Sequence, residues 1–169
     1  GGSTSPGTYN LTQSAPVTLG AAQTLSITDA GGTAGKRGNV TLFNPSNDFS
    51  TVAFGGGDLQ LADTNALMLG ATSANAGSTS TGTVLVQSGG GLTLGGNVSA
   101  AAAGDSLVLV AGTRFDNTGG FTLNPGGGRF LVWSGNPDPF GGATPDNRGG
   151  LAYDFKQYDA MYGVTAVAG

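Results

Sequence analysis

The chain contains no cysteine and no histidine. Disulfides and thiolate nucleophiles are thereby excluded, together with the commonest metal ligand and general base. Glutamate is also missing: all ten acidic residues are aspartate, which bonds its own backbone in turns, whereas glutamate favours helix interiors. Long helices are not expected. Charge is scarce at 9% of residues, and six cations against ten anions leave a net charge of −4. The only adjacent basic pair, Lys36–Arg37, lies between Gly35 and Gly38 and reads as a loop tip. No nucleic-acid partner is expected, because phosphate-backbone binding needs clustered Lys and Arg. No apolar run approaches the roughly 20 residues of a membrane span, and no basic segment leads into an apolar stretch at the start. No membrane insertion is expected, and any export signal is expected upstream of Gly1 or already removed.

Glycine supplies 33 of the 169 residues, with Ser, Thr, Asn and Ala filling much of the rest. That mixture suits either disorder or a turn-dense β protein. Disordered chains combine high net charge with few β-branched residues, whereas here charge is low and Val, Leu, Ile, Thr and Phe recur in short blocks. An ordered all-β fold is the reading, and 169 residues suffice to bury a core without staples.

The blocks are 23–28, 39–43, 58–61, 83–86, 106–110 and 129–133, starting roughly 20 residues apart, the period of a β-solenoid coil. Between them lie secondary blocks such as Val52–Phe54, Leu67–Leu69, Leu92–Leu94 and Phe121–Leu123, so each coil is expected to hold two or three strands. Within blocks the apolar residues alternate, giving one buried face. The inward positions are expected to be Leu25, Ile27, Val40, Leu42, Leu59, Leu61, Val84, Val86, Leu107, Leu109, Leu131 and Trp133, with Phe130 and Val132 on the opposite face. Core packing is the expected role of Trp133, with glycan stacking as its alternative. The expected architecture is a parallel β-helix, a β-solenoid of about six coils. An antiparallel sandwich is the rival, but no Asn-Gly or Asp-Gly hairpin dipeptide occurs.

The texture changes near the C-terminus. Residues 136–150 hold three of the seven prolines and residues 151–163 three of the four tyrosines. Two regions are expected: solenoid repeats over 1–135, and a Pro/Gly-rich loop with an aromatic cap, linker or interface segment over 136–169. Tyr153, Phe155, Tyr158, Met161 and Tyr162 are the candidate capping or interface residues. Phe155, Tyr158 and Tyr162 fit one face of a helix capped by Asp154, while Tyr153 and Phe155 fit an aromatic strand. At the other end, residues 1–10 are too polar and Gly-rich to seal an apolar coil well, although Tyr9 and Leu11 could contribute.

Several phrases together resemble the repeat region of filamentous-haemagglutinin-like exoproteins of two-partner secretion. They are Gly38-Asn-Val-Thr-Leu-Phe-Asn-Pro-Ser-Asn-Asp-Phe-Ser-Thr-Val-Ala-Phe54, then residues 58–72 with Leu-Ala-Asp-Thr-Asn-Ala-Leu-Met-Leu-Gly. Gly127-Gly-Arg-Phe-Leu-Val-Trp-Ser134 and Asp154-Phe-Lys-Gln-Tyr-Asp-Ala-Met-Tyr-Gly163 follow in matching order. The resemblance implies a right-handed parallel β-helix, at the cell surface or extracellular, that serves as adhesin, matrix component or stalk. Its implied partners are neighbouring copies or further domains of the same exoprotein, and glycans or a host surface. The recognisable secretion domain of that family is missing at the front, so the chain is expected to be a fragment, a processed product or a small relative exported otherwise.

Parallel β-helices also carry polysaccharide-active enzymes, so paired carboxylates are candidates for acid, base or calcium ligands. The candidates are Asp58 with Asp63, Asp138 with Asp146, and Asp154 with Asp159, assisted by Arg148 or Arg129. Each lies beside Gly, Asn or Pro, where Asp is an ordinary turn residue. No catalytic, metal or cofactor site is expected. The Gly89–Gly91 and Gly126–Gly128 runs lack the Lys-Ser/Thr ending of a phosphate loop and read as corners. The sequons at Asn10, Asn39 and Asn97 read as surface strand positions.

Overall fold

The computed structural model describes residues 10–29 and 37–167; Tyr9, Lys36 and the rest of 1–9, 30–36 and 168–169 lie outside the described residues. Among the described residues there is no helix. The chain passes through short strands: β1 (Leu11–Thr12), β2 (Thr24–Thr28), β3 (Val40–Leu42), β4 (Thr51–Gly56), β5 (Leu59–Asp63), β6 (Leu67–Ala74) and β7 (Val84–Ser88). It continues with β8 (Leu92–Leu94), β9 (Val98–Ser99), β10 (Asp105–Ala111), β11 (Phe115–Asp116), β12 (Leu123–Asn124) and β13 (Arg129–Ser134). One sheet has the order β1-β3-β5-β7-β10-β13 and the other β11-β8-β6-β4-β2, with β9 linking β6 to β12. Every pairing between these strands is parallel.

Strands that alternate between two sheets while each pairs with its equivalent one turn later make a β-solenoid. The turn length ranges from 17 residues, Thr51 to Met68, to 29, Leu11 to Val40. About four turns are full and well buried, from β3–β4 to β10–β12, fewer than the six expected. The shortfall has two sources. The block holding β2 is not a rung of its own, because Leu25 and Ile27 pair with Val52 and Phe54 in the second sheet, so the short step from β2 to β3 is a crossing between sheets. The rungs at both ends are also covered on one side only.

The alternation stacks as expected through the middle of the chain. Val40, Leu59, Val84 and Leu107 form one column, and Leu42, Leu61, Val86 and Leu109 another. All eight are at most 4% exposed. Fully burying each such side chain is worth about 1.5–3 kcal/mol, so these two columns dominate the interior. Phe49, Val52, Leu69, Leu92, Val98 and Phe115 complete it from the second sheet and its corners. Leu25 and Ile27 only half-bury against this core, because no described strand covers β2 on its outer side.

At β13 the expected parity is reversed. Phe130 and Val132 stack on Leu107 and Leu109, while Leu131 and Trp133 sit over Val108 and Val110. Phe130 and Val132 therefore extend the interior columns, and Trp133 belongs to the outer face. The register between β10 and β13 slips at Ser106, whose hydroxyl donates to the Pro125 carbonyl. Residues 130–133 are apolar on both faces, so alternation could not say which face turns inward.

The corners explain the punctuation. After the last four strands of the first sheet, a backbone N–H donates to a carbonyl one turn earlier: Thr64 to Asn47, Gly89 to Asp63, Gly112 to Ser88, and Gly135 to Ala111. Gly89, Gly112 and Gly135 are stacked so closely that a Cβ on Gly112 would collide with the Gly89 carbonyl, and one on Gly135 with that of Gly112. Glycine is needed there for close backbone approach. At Gly126 a positive φ of 61° joins the close approach, since a Cβ there would collide with the Ala100 carbonyl, which matches the corner reading of its run.

Substituting Gly112→Ala is expected to lower the unfolding free energy by about 2–3 kcal/mol, at the upper end of ordinary point mutations. Alanine at the open, exposed Gly127, where an added Cβ meets nothing, should change it by less than about 0.5 kcal/mol. Chemical denaturation of the two variants is the check, and equal costs would contradict the close stacking of these corners.

Candidate functional site

Several aspartates and asparagines hold one turn to the next. Immediately before the first-sheet strands, Asn10 accepts from the Asn39 N–H, and Asn39 accepts from the Asp58 N–H. Asp58 accepts in turn from the N–H groups of Thr81, Gly82 and Thr83 and from the hydroxyls of Thr81 and Thr83. The registers place Asn10, Asn39, Asp58 and Thr83 directly above one another, so each side chain caps the same backbone position one turn later. Asn97 does the same for the Thr122 N–H. All three sequon asparagines are members of such inter-turn caps.

This arrangement separates the paired carboxylates. Asp63, at the far end of β5 from Asp58, accepts from the backbone N–H groups of Phe49 and Asn65. Partial burial raises the Asp58 pKa, but the N–H donors of Thr83, Thr81 and Gly82 more than offset this and hold it below the usual 3.8. Burial prevails at Asp63, whose pKa lies above 3.8 despite its two N–H donors, with the Asp48 charge adding to the rise. Asp146 accepts from the Phe115 N–H and the Asn136 amide, while no hydrogen bond joins it to Asp138. Asp154 and Asp159 are exposed. Arg129 pairs with Asp105 and Arg148 stacks on rings. Among the described residues no three carboxylates converge.

A second region gathers aromatic and cationic side chains at the C-terminal end of the solenoid. Residues 136–150 fold back onto the last full turn: Asn147 bridges in parallel to Asp116, Asn117 donates to the Arg148 carbonyl, and Arg114 donates to that of Pro145. This docking carries Phe140 and Arg148 to the solenoid end. Residues 151–167 then cross the same end as turns and bends, neither the helix nor the strand considered above. Asp159 adopts a positive φ of 52°, inside the stretch where a helix would have run.

Of the five candidate capping residues, Tyr162 packs edge-on against Trp133 with ring centroids 5.8 Å apart. Tyr153 and Tyr158 gather around Phe140 at 6.2 and 5.9 Å. Tyr153, Phe155, Tyr158 and Met161 stay exposed, along with Phe140 and Val164. Among the described residues, six of the nine exposed large hydrophobic side chains thus lie in this one region.

Two cations sit on the same two rings. The Arg148 guanidinium lies 4.3 Å from the Tyr153 centroid and 5.6 Å from that of Phe140; the Lys156 ammonium lies 4.2 Å from Phe140 and 5.0 Å from Tyr153. Lys156, and with it Arg148, lies close enough to the Tyr153 hydroxyl to lower its pKa below 10.0. Beneath the cluster is a cavity of about 440 Å³ lined by Phe115, Phe130–Ser134, Phe140, Arg148 and residues 151–157 among others. Trp133 lines it, and its indole Nε1 is buried with no hydrogen-bond partner.

Trp133, Phe140 and Lys156 were missed as members of this cluster, and Arg148 was singled out only as a helper to aspartates. The available signal was the interleaving of Lys and Arg among Tyr and Phe over 140–158. What brings 140, 148 and 153 together is a fold-back of 136–150 that no local pattern shows. No family model, curated protein or solved structure matches the chain.

Two measurements check the carboxylate roles. Asp58→Ala is expected to cost about 2–3 kcal/mol, the loss of a charged acceptor bonded to backbone donors. A carboxylate with a depressed folded pKa stabilises above its unfolded pKa and loses that stabilisation as pH falls through the folded value. Stability of the parent should therefore drop below about pH 4, and the Asp58→Ala variant should show a shallower drop. Asp63 works oppositely, since its raised pKa favours the fold on protonation. The melting temperature should also be unchanged by EDTA; a fall of many degrees reversed by calcium would show that the aspartates hold a metal.

Proposed function

We propose that this chain is a non-catalytic, extracellular structural and adhesive β-solenoid module of a bacterial surface exoprotein of the filamentous-haemagglutinin-like kind. Its partners are neighbouring copies or further domains of the same exoprotein, joined through the ends of the solenoid. The observation that carries this reading is the C-terminal end. β13 closes the six-stranded sheet with no described strand beyond it, Phe130 and Val132 are only half-buried in the last rung, and the exposed aromatics stand beside them. A sheet edge with free N–H and C=O groups next to an apolar surface templates strand addition unless it is capped. The other end is similar in kind, with Leu11 43% exposed and Leu25 and Ile27 half-covered.

The low charge, the aspartates tied into turns and the Thr- and Ser-rich outer faces support scaffold rather than catalysis. The secreted, surface location rests on the resemblance of the repeat phrases alone. A carbohydrate-binding adhesin is the second reading, favoured by the aromatic and cationic cavity. A polysaccharide-active enzyme is the remote one, with no converging carboxylates in its favour.

The test is mass in solution against concentration, with electron microscopy, for the full chain and for a chain lacking 151–169. The full chain should form end-to-end oligomers or short rods as concentration rises, and the deletion should change their extent by tenfold or more in association constant. A full chain that stays monomeric at millimolar concentration would overturn end-to-end association.

A further inference from the structure

Among the described residues β13 is the last strand of the first sheet, yet the pattern that builds the sheet continues past it. From Val84 to Leu107, and again from Leu107 to Phe130, the inner column advances by 23 residues per turn. The same step carries Phe130 to Tyr153 and Val132 to Phe155. Residues 151–156 read Leu-Ala-Tyr-Asp-Phe-Lys, with rings at the inward positions and Asp154 and Lys156 at the outward ones, the alternation of a half-buried strand. The half-turn between is already in place, since Asn147 bridges to Asp116 in the second sheet and Leu151 packs against the core.

The segment nevertheless stands off. Among the described residues no β-pairing and no backbone hydrogen bond joins 152–156 to β13, and Tyr153 and Phe155 are 44% and 36% exposed. What separates them is the cavity, lined on one side by β13 with Gly128 and on the other by 151–157. It meets the inward Phe130 and Val132 as well as the outward Leu131 and Trp133. It therefore straddles the outer edge of β13, the place of a next strand about 4.8 Å away. Contacts of Arg148 and Lys156 with the Tyr153 and Phe140 rings hold the segment outside that place, and at exposed positions such contacts are individually modest.

We propose that residues 152–156 form a seventh, parallel strand of the first sheet, which exchanges between this stood-off position and one docked on β13. Docked, Tyr153 and Phe155 extend the columns that end at Phe130 and Val132. The stack also dictates which amides pair. Val40 donates forward to the Asp58 carbonyl and Leu59 to that of Thr83, whereas Gly112 and Gly135 donate back to Ser88 and Ala111. By the same alternation the Phe130 and Val132 N–H groups donate to the Ala152 and Asp154 carbonyls, and the Asp154 and Lys156 N–H groups donate to those of Phe130 and Val132. The N–H groups of Tyr153 and Phe155 face away from β13. Docking seals the inner columns and withdraws β13 from any incoming strand, so this end has an accepting and a sealed state. The inference rests on the register within one chain and not on association between copies.

Residue-resolved amide exchange on the full chain, at a concentration where it is monomeric, reads the docked state directly. Relative to their intrinsic rates, the Asp154 and Lys156 amides should exchange about threefold or more slower than those of Tyr153 and Phe155, an alternation that loose collapse of the segment would not produce. A chain without cysteine also allows a cross-linking test. Neighbouring strands bring in-register Cα atoms within disulfide reach, and a shift of two residues takes them beyond it. The pair Leu131→Cys with Asp154→Cys should thus oxidise about tenfold faster than Leu131→Cys with Lys156→Cys. Phe155→Asp should abolish the alternation in exchange while keeping the parent's melting temperature, because Phe155 is already exposed. Uniform exchange across 152–156, equal oxidation of the two pairs, or an alternation that persists in Phe155→Asp would overturn the proposal. Protection that grows with protein concentration would overturn it as well, by showing that a second copy supplies the strand on β13.

Discussion

Everything in this fold depends on one repeated contact, the parallel stacking of each turn on the one before. The chain has too little charge for ion-pair networks and no cysteine to staple it. Order comes from backbone bonds between turns and from the apolar columns those bonds align. The Asn10–Asn39–Asp58 series shows how local chemistry serves the stack, since each short polar side chain reaches the backbone of the next turn and no farther. Glutamate, one methylene longer and a poor turn residue, has no such place. Glycine does the complementary work at Gly89, Gly112 and Gly135, where carbonyls approach too closely for any side chain.

The same constraint shapes the site. A solenoid satisfies its turns internally but not its ends, so chemistry that differs from the repeat gathers where the repeat stops. Residues 136–150 still pair with the last turn through Asn147 and Arg148, and beyond them the chain lays aromatic rings over the end without adding a strand. Arg148 and Lys156 reach those rings from two segments, which fixes Phe140 against Tyr153 and leaves both partly exposed. Cation–ring contacts at exposed positions are worth about 0.5–1 kcal/mol each, so the cluster is held together by several modest contacts of similar size and can yield to a partner or a ligand. The interior columns, by contrast, are fully buried.

Periodicity and composition determined the fold class before any coordinates. Blocks about twenty residues apart, with alternating apolar residues and Asp, Asn and Gly at the joints, allow a parallel stack because each turn repeats the same burial problem. The central columns from Val40 to Leu109 could be named from alternation alone. Which block belongs to which sheet was decided only in three dimensions: β2 lies one crossing before β3, and spacing along the chain cannot separate a crossing from a turn. The facing of β13 was decided there too, by the slip at Ser106, because a strand apolar on both sides carries no parity. The aromatic character of the C-terminus was likewise legible, but its partners were not. Trp133, Phe140, Arg148 and Lys156 meet through a fold-back whose bonds run from Asn117 and Arg114 to residues some thirty positions away, and contacts at that separation leave no mark in local sequence.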